Sequence, residues 1–405
     1  MENIKINKIK KRGNMKKIKV GLLVEEFYDK DLGGFGGYGI LAREYIAKYL
    51  GSEEIEIEVI IGSNSKKESK MIIRDGIKIH YLPKNWSTKF DIDFIYLSKV
   101  KEFFKKQKFD IYMSIEMSKI AHEVLKREKN KKLILWIQDP RPRYDWEEIK
   151  SVTLSNEYDS YLNYYSKWEE RIQKLLNKLN IEKRLILVSQ GKYLKKKAID
   201  LYKLPKNIEI EYFPNPVKIQ DNVDFNLKKD SVIFLGRLTP VKRPWIYFEL
   251  AKLFPEKKFY VCGQGNEINE ILEKYKKIEN LKFVGHISGE EKDKLLKEAK
   301  VLVNTSIHEA IPVSFLEAVS YGLKILSCQN PDDITVNNGY FTGTILGDGF
   351  EEIEKFQKGL KYCFDNYNEA EILESIKKVR KNHNLDKFIA EGRKIIKNGV
   401  KNGED

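Results

Sequence analysis

Short apolar runs alternate with stretches of helical periodicity along almost the whole chain. Ile18–Val24 reads as a first strand, followed by a helix over about Ile40–Leu50. Further strands are expected at Ile55–Ile61, Lys78–Leu82, Asp110–Ser114, Leu133–Ile137 and Leu185–Val188, with a long helix at about Tyr161–Leu179. Strands that alternate with helices imply a doubly wound parallel sheet. At Tyr212–Val217 the sequence YFPNPV stops any helix, because two prolines flank an asparagine. The alternation then restarts. Strands are expected at Ser231–Leu235, Lys258–Val261, Leu281–Val284, Val301–Asn304 and Lys324–Ser327. Helices fall between them at Pro244–Leu253, Ile268–Tyr275, Glu290–Ala299 and Pro312–Tyr321, and two more close the chain at Phe350–Asn366 and Asp386–Lys397.

The fold class is therefore α/β, with two doubly wound Rossmann-like domains in tandem. Residues 1–14 read as a basic tail, 15–216 as the first domain and 217–385 as the second. Such a pair describes a cleft enzyme whose ligand sits at the carboxyl ends of the strands.

Composition narrows the class. Hydrophobic residues make up 41% of the 405 and aromatics 12%, which is the profile of a folded protein. Lys+Arg exceeds Asp+Glu by 74 − 60, a net +14. A balance that basic suits nucleic acid, an anionic membrane surface or an anionic substrate. The lysines fall in short scattered clusters such as Lys66–Lys67 and Lys195–Lys197, outside any nucleic-acid-binding signature, so no nucleic-acid partner is expected. A lysine-rich solvated surface is the first expectation, and a weak peripheral hold on anionic lipid head groups is the alternative. Cys262, Cys328 and Cys363 have neither metal-ligand nor disulfide spacing, which fits a reducing cytoplasm. The sequence offers no apolar run near the roughly 20 residues of a membrane helix, and no signal-peptide core.

The segment HEAIPVSFLEAVSYG, His308 to Gly322, carries the most chemistry. Glu309 precedes a helix start marked by Ile311 and Pro312, and Glu317 lies inside the helix. Free N–H groups at that start, near Ile311, Pro312 and Val313, suit a phosphate, and flanking carboxylates suit sugar hydroxyls. A second motif, Gly236-Arg237-Leu238-Thr239-Pro240-Val241-Lys242, follows a strand and sets an arginine and a lysine five positions apart. Arginine grips phosphate bidentately, and lysine adds a mobile charge. A third, Gly33-Gly34-Phe35-Gly36-Gly37-Tyr38-Gly39, opens a helix and lets backbone approach a ligand. It sits too far beyond its strand for a nicotinamide fingerprint, and the second strand ends without an acid to hold a ribose. The fourth is the strand-end loop Gln138-Asp139-Pro140-Arg141-Pro142-Arg143, rigid and polar, a candidate acceptor site at Gln138, Asp139, Arg141 and Arg143. His308 adjoins Glu309 and is a candidate ligand contact; His286 is a candidate contact to a nucleotide base. No residues stand at metal-ligand spacing.

Glu309, Glu317, Ala318 and Gly322, with Arg237 and Lys242, resemble the signature of the family-4 retaining glycosyltransferases. The resemblance covers nearly the whole chain after Met15 and is strongest from Ser231 to Gly322. It implies the GT-B arrangement, two Rossmann-like domains facing a central cleft, with the last helix, about 386–400, crossing back onto the first domain. It implies no cofactor and no metal, and a UDP-, GDP- or ADP-sugar as co-substrate. Arg237 and Lys242 are then expected on the donor diphosphate, Glu309 on the donor sugar, Glu317 on the ribose, and Gly36 and Gly37 beside the diphosphate. Glu309, Arg237 and Lys242 are the expected catalytic set. The acceptor is expected to be a saccharide or a lipid-linked sugar, in cell-surface glycan synthesis. One departure stands out. Many members carry a histidine at the strand end where this chain has Gln138 and Asp139.

Two carboxylates also suggest a glycosidase. A retaining hydrolase needs them about 5–5.5 Å apart, whereas eight helical residues rise about 12 Å. A nucleotide-sugar epimerase of similar shape and a non-catalytic nucleotide-sugar binder remain open alternatives.

Overall fold

The computed structural model describes residues 16–27, 37–63, 70–83, 102–104, 106–220 and 222–401. These form two compact units. The first draws on residues within 1–114, 118–134 and 392–405, and the second on 115–117 and 135–391.

In the first unit the strands β1 (Ile18–Val24), β2 (Ile55–Ser63), β3 (Lys70–Arg74), β4 (Ile77–Pro83) and β5 (Ile111–Ser114) lie in the order β3-β4-β2-β1-β5. β1 pairs parallel with β2 and with β5. Val20 and Leu22 to Val24 are fully buried, as expected of a central parallel strand covered on both faces. β3 had no counterpart in the periodicity. It pairs antiparallel with β4 through Asp75 and Gly76, both at positive φ (48° and 77°). That is the backbone a two-residue Asp-Gly hairpin turn requires. A helix opens at Gly37 and continues with π-type turns over Leu41–Leu50. Its last carbonyls would be orphaned. Arg393, on the final helix Leu385–Lys401, satisfies them with bonds to Tyr49 O (2.9 Å), Leu50 O (3.2 Å) and Gly51 O.

The second unit contains β6 (Leu133–Ile137), β7 (Leu185–Ser189) and β8 (Glu211–Tyr212), side by side. It also holds a six-stranded sheet of β9 (Ser231–Leu235), β10 (Lys258–Cys262), β11 (Leu281–Gly285), β12 (Val301–Asn304), β13 (Lys324–Ser327) and β14 (Gly339–Phe341). All its pairings are parallel, in the order β11-β10-β9-β12-β13-β14. Counted from β9 this is 3-2-1-4-5-6, the doubly wound order in which ligands bind at the strand carboxyl ends where the winding reverses. The reversal falls between β9 and β12. Trp245, Tyr247, Phe248 and Phe259 pack one face of the sheet; Phe315, Leu316, Ala318 and Ile325 pack the other. The chain is thus a two-domain α/β protein with parallel sheets. Among the elements of this unit that the sequence reading did not name are β14 and the helix Glu369–His383. Asn368 caps that helix by accepting from Glu371 N at 3.1 Å.

Candidate active site

At the carboxyl end of β9 the chain passes through Gly236 and Arg237 into a short 3-10 turn, Pro240–Lys242. The loop after β10 fixes its path. Gly236 N donates to Cys262 O (3.0 Å) and Leu238 N to Gln264 O (3.1 Å). A Cβ at Gly263 would stand 1.8 Å from Gly236 O, and one at Gly265 would stand 2.4 Å from Leu238 O, so only glycine allows this contact. Arg237 is left exposed at the strand end and makes no ion pair with any described residue.

β12 ends in a polar triplet. Thr305 Oγ1 lies 2.7 and 3.0 Å from the carbonyls of Lys242 and Arg243, and Ile307 N donates to Val241 O (3.0 Å). These bonds bring the loop His308–Pro312 beside Lys242. Arg243, in the left-handed region at φ 43°, is 0% exposed. Its guanidinium donates to Thr305 O (2.8 Å), Ile345 O (2.9 Å), Gly347 O (2.8 Å) and Cys328 Sγ (3.1 Å). A buried arginine thus ties the β12 loop to the segment beyond β14.

Glu309 sits at the centre. Its Oε1 accepts from Lys242 Nζ (2.6 Å), Ser306 Oγ (2.6 Å) and Asn304 Nδ2 (2.8 Å). Burial raises the carboxyl pKa, but the Lys242 charge and the bonds from Lys242, Ser306 and Asn304 outweigh it, so Glu309 lies below the usual carboxylate range. Its backbone carbonyl accepts from Tyr193 Oη at 2.8 Å. A cavity of about 80 Å³ opens here, lined by Gly236, Lys242, Asn304, Ser306, Glu309 and Ser314 among others. The helix Val313–Ser320 begins just beyond, with Pro312 preceding its first turn. It ends at Gly322, whose φ of 81° allows Leu323 N to reach back to Ala318 O (2.9 Å).

Glu317 stands on that helix and accepts from Lys292 Nζ at 2.7 Å. His308 is buried, with Nε2 2.8 Å from Asp139 Oδ1 and Nδ1 3.8 Å from Asp145 Oδ2. Arg141 binds the other Asp139 oxygen (2.9 Å), and Lys197 binds both Asp145 oxygens (2.9 Å). Asp139 is burdened by burial, yet Arg141 and His308 hold it well below the usual range. Arg143 is exposed, near Glu147 (3.5 Å). Gln138 is buried and shares a reciprocal amide pair with Asn215 (3.2 and 3.1 Å), while its carbonyl accepts from Gln190 (2.6 Å).

The structure therefore carries Glu309, Ile311, Pro312, Val313 and Glu317 on one loop and the helix it starts, with Lys242 against Glu309 from the 3-10 turn and Arg237 at the neighbouring strand end. His308, Asp139 and Arg141 form a separate charged chain in the same unit. Gly37 begins the first-unit helix, and Gly36 lies outside the described residues. His286 is exposed after β11. Asn304, Ser306, Tyr193 and Lys292 were not anticipated. The signal for the first two was Asn304-Thr305-Ser306 itself, three polar residues directly after a buried apolar strand. No helix among the described residues is long and apolar enough to cross a membrane, and no metal-holding group of His, Cys, Asp and Glu occurs among them.

Residues 218–382 match the family described as "Glycosyl transferases group 1". The matched stretch contains β9 to β14, the loops around Lys242 and Glu309, and the helix bearing Glu317. A stretch of 150 residues is 31% identical to the UDP-Gal:alpha-D-GlcNAc-diphosphoundecaprenol alpha-1,3-galactosyltransferase of Escherichia coli, covering 34% of this chain and 39% of that relative's length. Over nearly its full length the fold is similar to sucrose-phosphate synthase from Thermosynechococcus elongatus (TM-score 0.68, 11% identity, 94% of this chain and 99% of that one). It is also similar to Anabaena HepE in complex with UDP-glucose (TM-score 0.61, 12% identity, 95% and 99%). The chain has the two-domain α/β fold of these GT-B glycosyltransferases.

Proposed function

We propose that this chain is a retaining glycosyltransferase of the family-4 type, moving a sugar from a nucleoside diphosphate donor to a hydroxyl acceptor. The observation that carries the reading is the meeting of Lys242 and Glu309 in one small cavity at the winding reversal of a group 1 glycosyltransferase domain. Arg237 and Lys242 bind the diphosphate, aided by the backbone N–H groups of Ile311 and Val313. Glu309 accepts from the donor sugar's hydroxyls, Glu317 from the ribose.

The bond from the anomeric carbon to the β-phosphate oxygen breaks, and a bond from the acceptor oxygen to that carbon forms on the same face. The acceptor proton passes to the departing phosphate. Negative charge grows on that phosphate, and its stabilisation by preset cations is the main catalytic contribution. In the unliganded chain Lys242 already faces an anion, the Glu309 carboxylate, so its ammonium is held in place before the donor arrives.

Residues 217–385 act as the donor domain and 15–216 as the acceptor domain. Asp139, Arg141 and Arg143 serve the acceptor; Gln138, engaged with Asn215, holds their loop in place. The galactosyltransferase relative acts on a sugar linked to a polyprenyl diphosphate. An acceptor of that kind, anionic and lipid-borne, suits the two arginines and the basic surface, and on this reading the protein works at the cytoplasmic face of the membrane. A UDP-sugar is the favoured donor, as in the UDP-glucose complex of the similar fold.

The test is transfer from a panel of UDP-, GDP- and ADP-sugars to polyprenyl-diphosphate-linked saccharides, with the product anomer read by NMR. A product retaining the donor's configuration supports the reading. Isomerised donor without transfer favours an epimerase, and binding without turnover favours a sugar-nucleotide binder.

A further inference from the structure

Glu309 presents its two oxygens unequally. All three of its side-chain hydrogen bonds converge on Oε1, and among the described residues none reaches Oε2. Two of the three donors are neutral. Lys242 is the third, and on the reading above it also serves the donor diphosphate. A bound diphosphate competes for that ammonium, since a lysine ammonium is a single charge with three donors. Something else must then hold the carboxylate.

Asn304 and Ser306 meet that need, and both are themselves fixed. Asn304 Oδ1 accepts from Ser327 Oγ (3.2 Å) and from Ser306 N (3.2 Å), which sets the amide so that Nδ2 points at Glu309. Ser327 ends β13, and its Oγ accepts from Gln329 N at 2.9 Å. A line of hydrogen bonds thus runs from β13 through Asn304 on β12 to Oε1. Asn304, Ser306 and Ser327 are all buried. Hydrogen bonds of this kind, from side chains that are themselves held, fix a functional carboxylate within fractions of an ångström.

We infer that Asn304 and Ser306 are positioning residues for the transfer reaction: they hold Glu309 by Oε1 and leave Oε2 for a hydroxyl of the donor sugar. The inference rests on the glycosyltransferase reading and adds to it which oxygen receives the sugar and what orients it.

The groups facing Glu309 are Lys242 from the 3-10 turn, Tyr193 from the loop after β7, Cys328 after β13, and His308 beside it with Asp139. Burial pushes the Tyr193 phenol and the Cys328 thiol up, so neither ionises in the acid range. Removing either neutral donor weakens the hold on the ionised carboxylate, and the Glu309 carboxyl then keeps its proton to higher pH.

The experiment is kcat/KM against pH for wild type, Ser306→Ala, Asn304→Ala and Glu309→Gln, with Tm recorded for each. The acid limb should move to higher pH in Ser306→Ala and Asn304→Ala. The loss should reach about tenfold at the acid end, as for one hydrogen bond to a charged group, and shrink at alkaline pH. A loss uniform across pH, or no loss, in a folded Ser306→Ala overturns the inference. Glu309→Gln reports separately on the underlying reading: collapse of turnover sustains it, and full activity removes it whatever the other variants do.

Discussion

Lys242 carries the sharpest residue-scale consequence. It is 23% exposed and packs no core, so Lys242→Ala should lower Tm only by the lost ion pair with Glu309, while lowering kcat by about 10²–10³-fold, the range for losing one preset charge-stabilising group. Steady-state rates beside a melting curve check both halves. Glu317→Ala should act on affinity. With Lys292 left unpaired and the ribose contact gone, donor Kd should rise about tenfold, with kcat at saturation changed little. The site was legible to the extent that its residues lie in contiguous motifs. Arg237, Lys242, Glu309 and Glu317 fall on two short segments that spacing alone picks out. Asn304 and Lys292 come from other strands and helices, and only the sheet order brings them to the same carboxylates. Gln138 shows the converse. Its place in a polar loop suggested a ligand contact, while its amide pairs with Asn215, 77 positions away.

At the scale of elements, Arg243 is the hinge of the argument. It follows Lys242 directly, and in a lysine-rich chain it reads as one more surface cation. The structure buries it against three carbonyls and a thiol. Arg243→Met leaves those acceptors buried without a donor. It should cost about 3 kcal/mol or more, read as a lower urea midpoint, and should impair turnover only together with stability. Lys242→Ala is the opposite case one residue away. The strands and helices of the six-stranded sheet follow the apolar periodicity within a residue or two, because each central strand is buried on both faces. Two of the elements that escaped the reading are edge strands. β3 has Met71 and Ile73 exposed and lacks an apolar core stripe, although Asp75-Gly76 was a usable hairpin signal. β14 is three residues long, too short for any periodicity.

For the whole molecule, the first unit supplies a stability test independent of the active site. Glu58 on β2 is 1% exposed, 2.6 Å from His80 Nε2 and within 3.2 Å of Lys19 and Lys78. Burial alone would raise its carboxyl pKa; bonds from His80, Lys19 and Lys78 bring it down to about 2. A folded-state pKa below the unfolded one stabilises the fold above the ordinary carboxylate range, and that stability is lost as pH falls toward 2. Glu58→Gln should therefore destabilise at neutral pH, and the gap to wild type in denaturant midpoint should close between about pH 4.5 and 2. A gap constant with pH would contradict the ion cluster.

The central claim is that the cavity beside Lys242 and Glu309 binds a nucleoside diphosphate sugar. Calorimetric titration of UDP-, GDP- and ADP-sugars into wild type and Lys242→Ala tests it most directly. One of these donors should saturate the wild type at one site per chain and bind the variant at least about tenfold more weakly. Equal binding to both proteins, or heat-silent titrations throughout with no shift in Tm, would contradict the account.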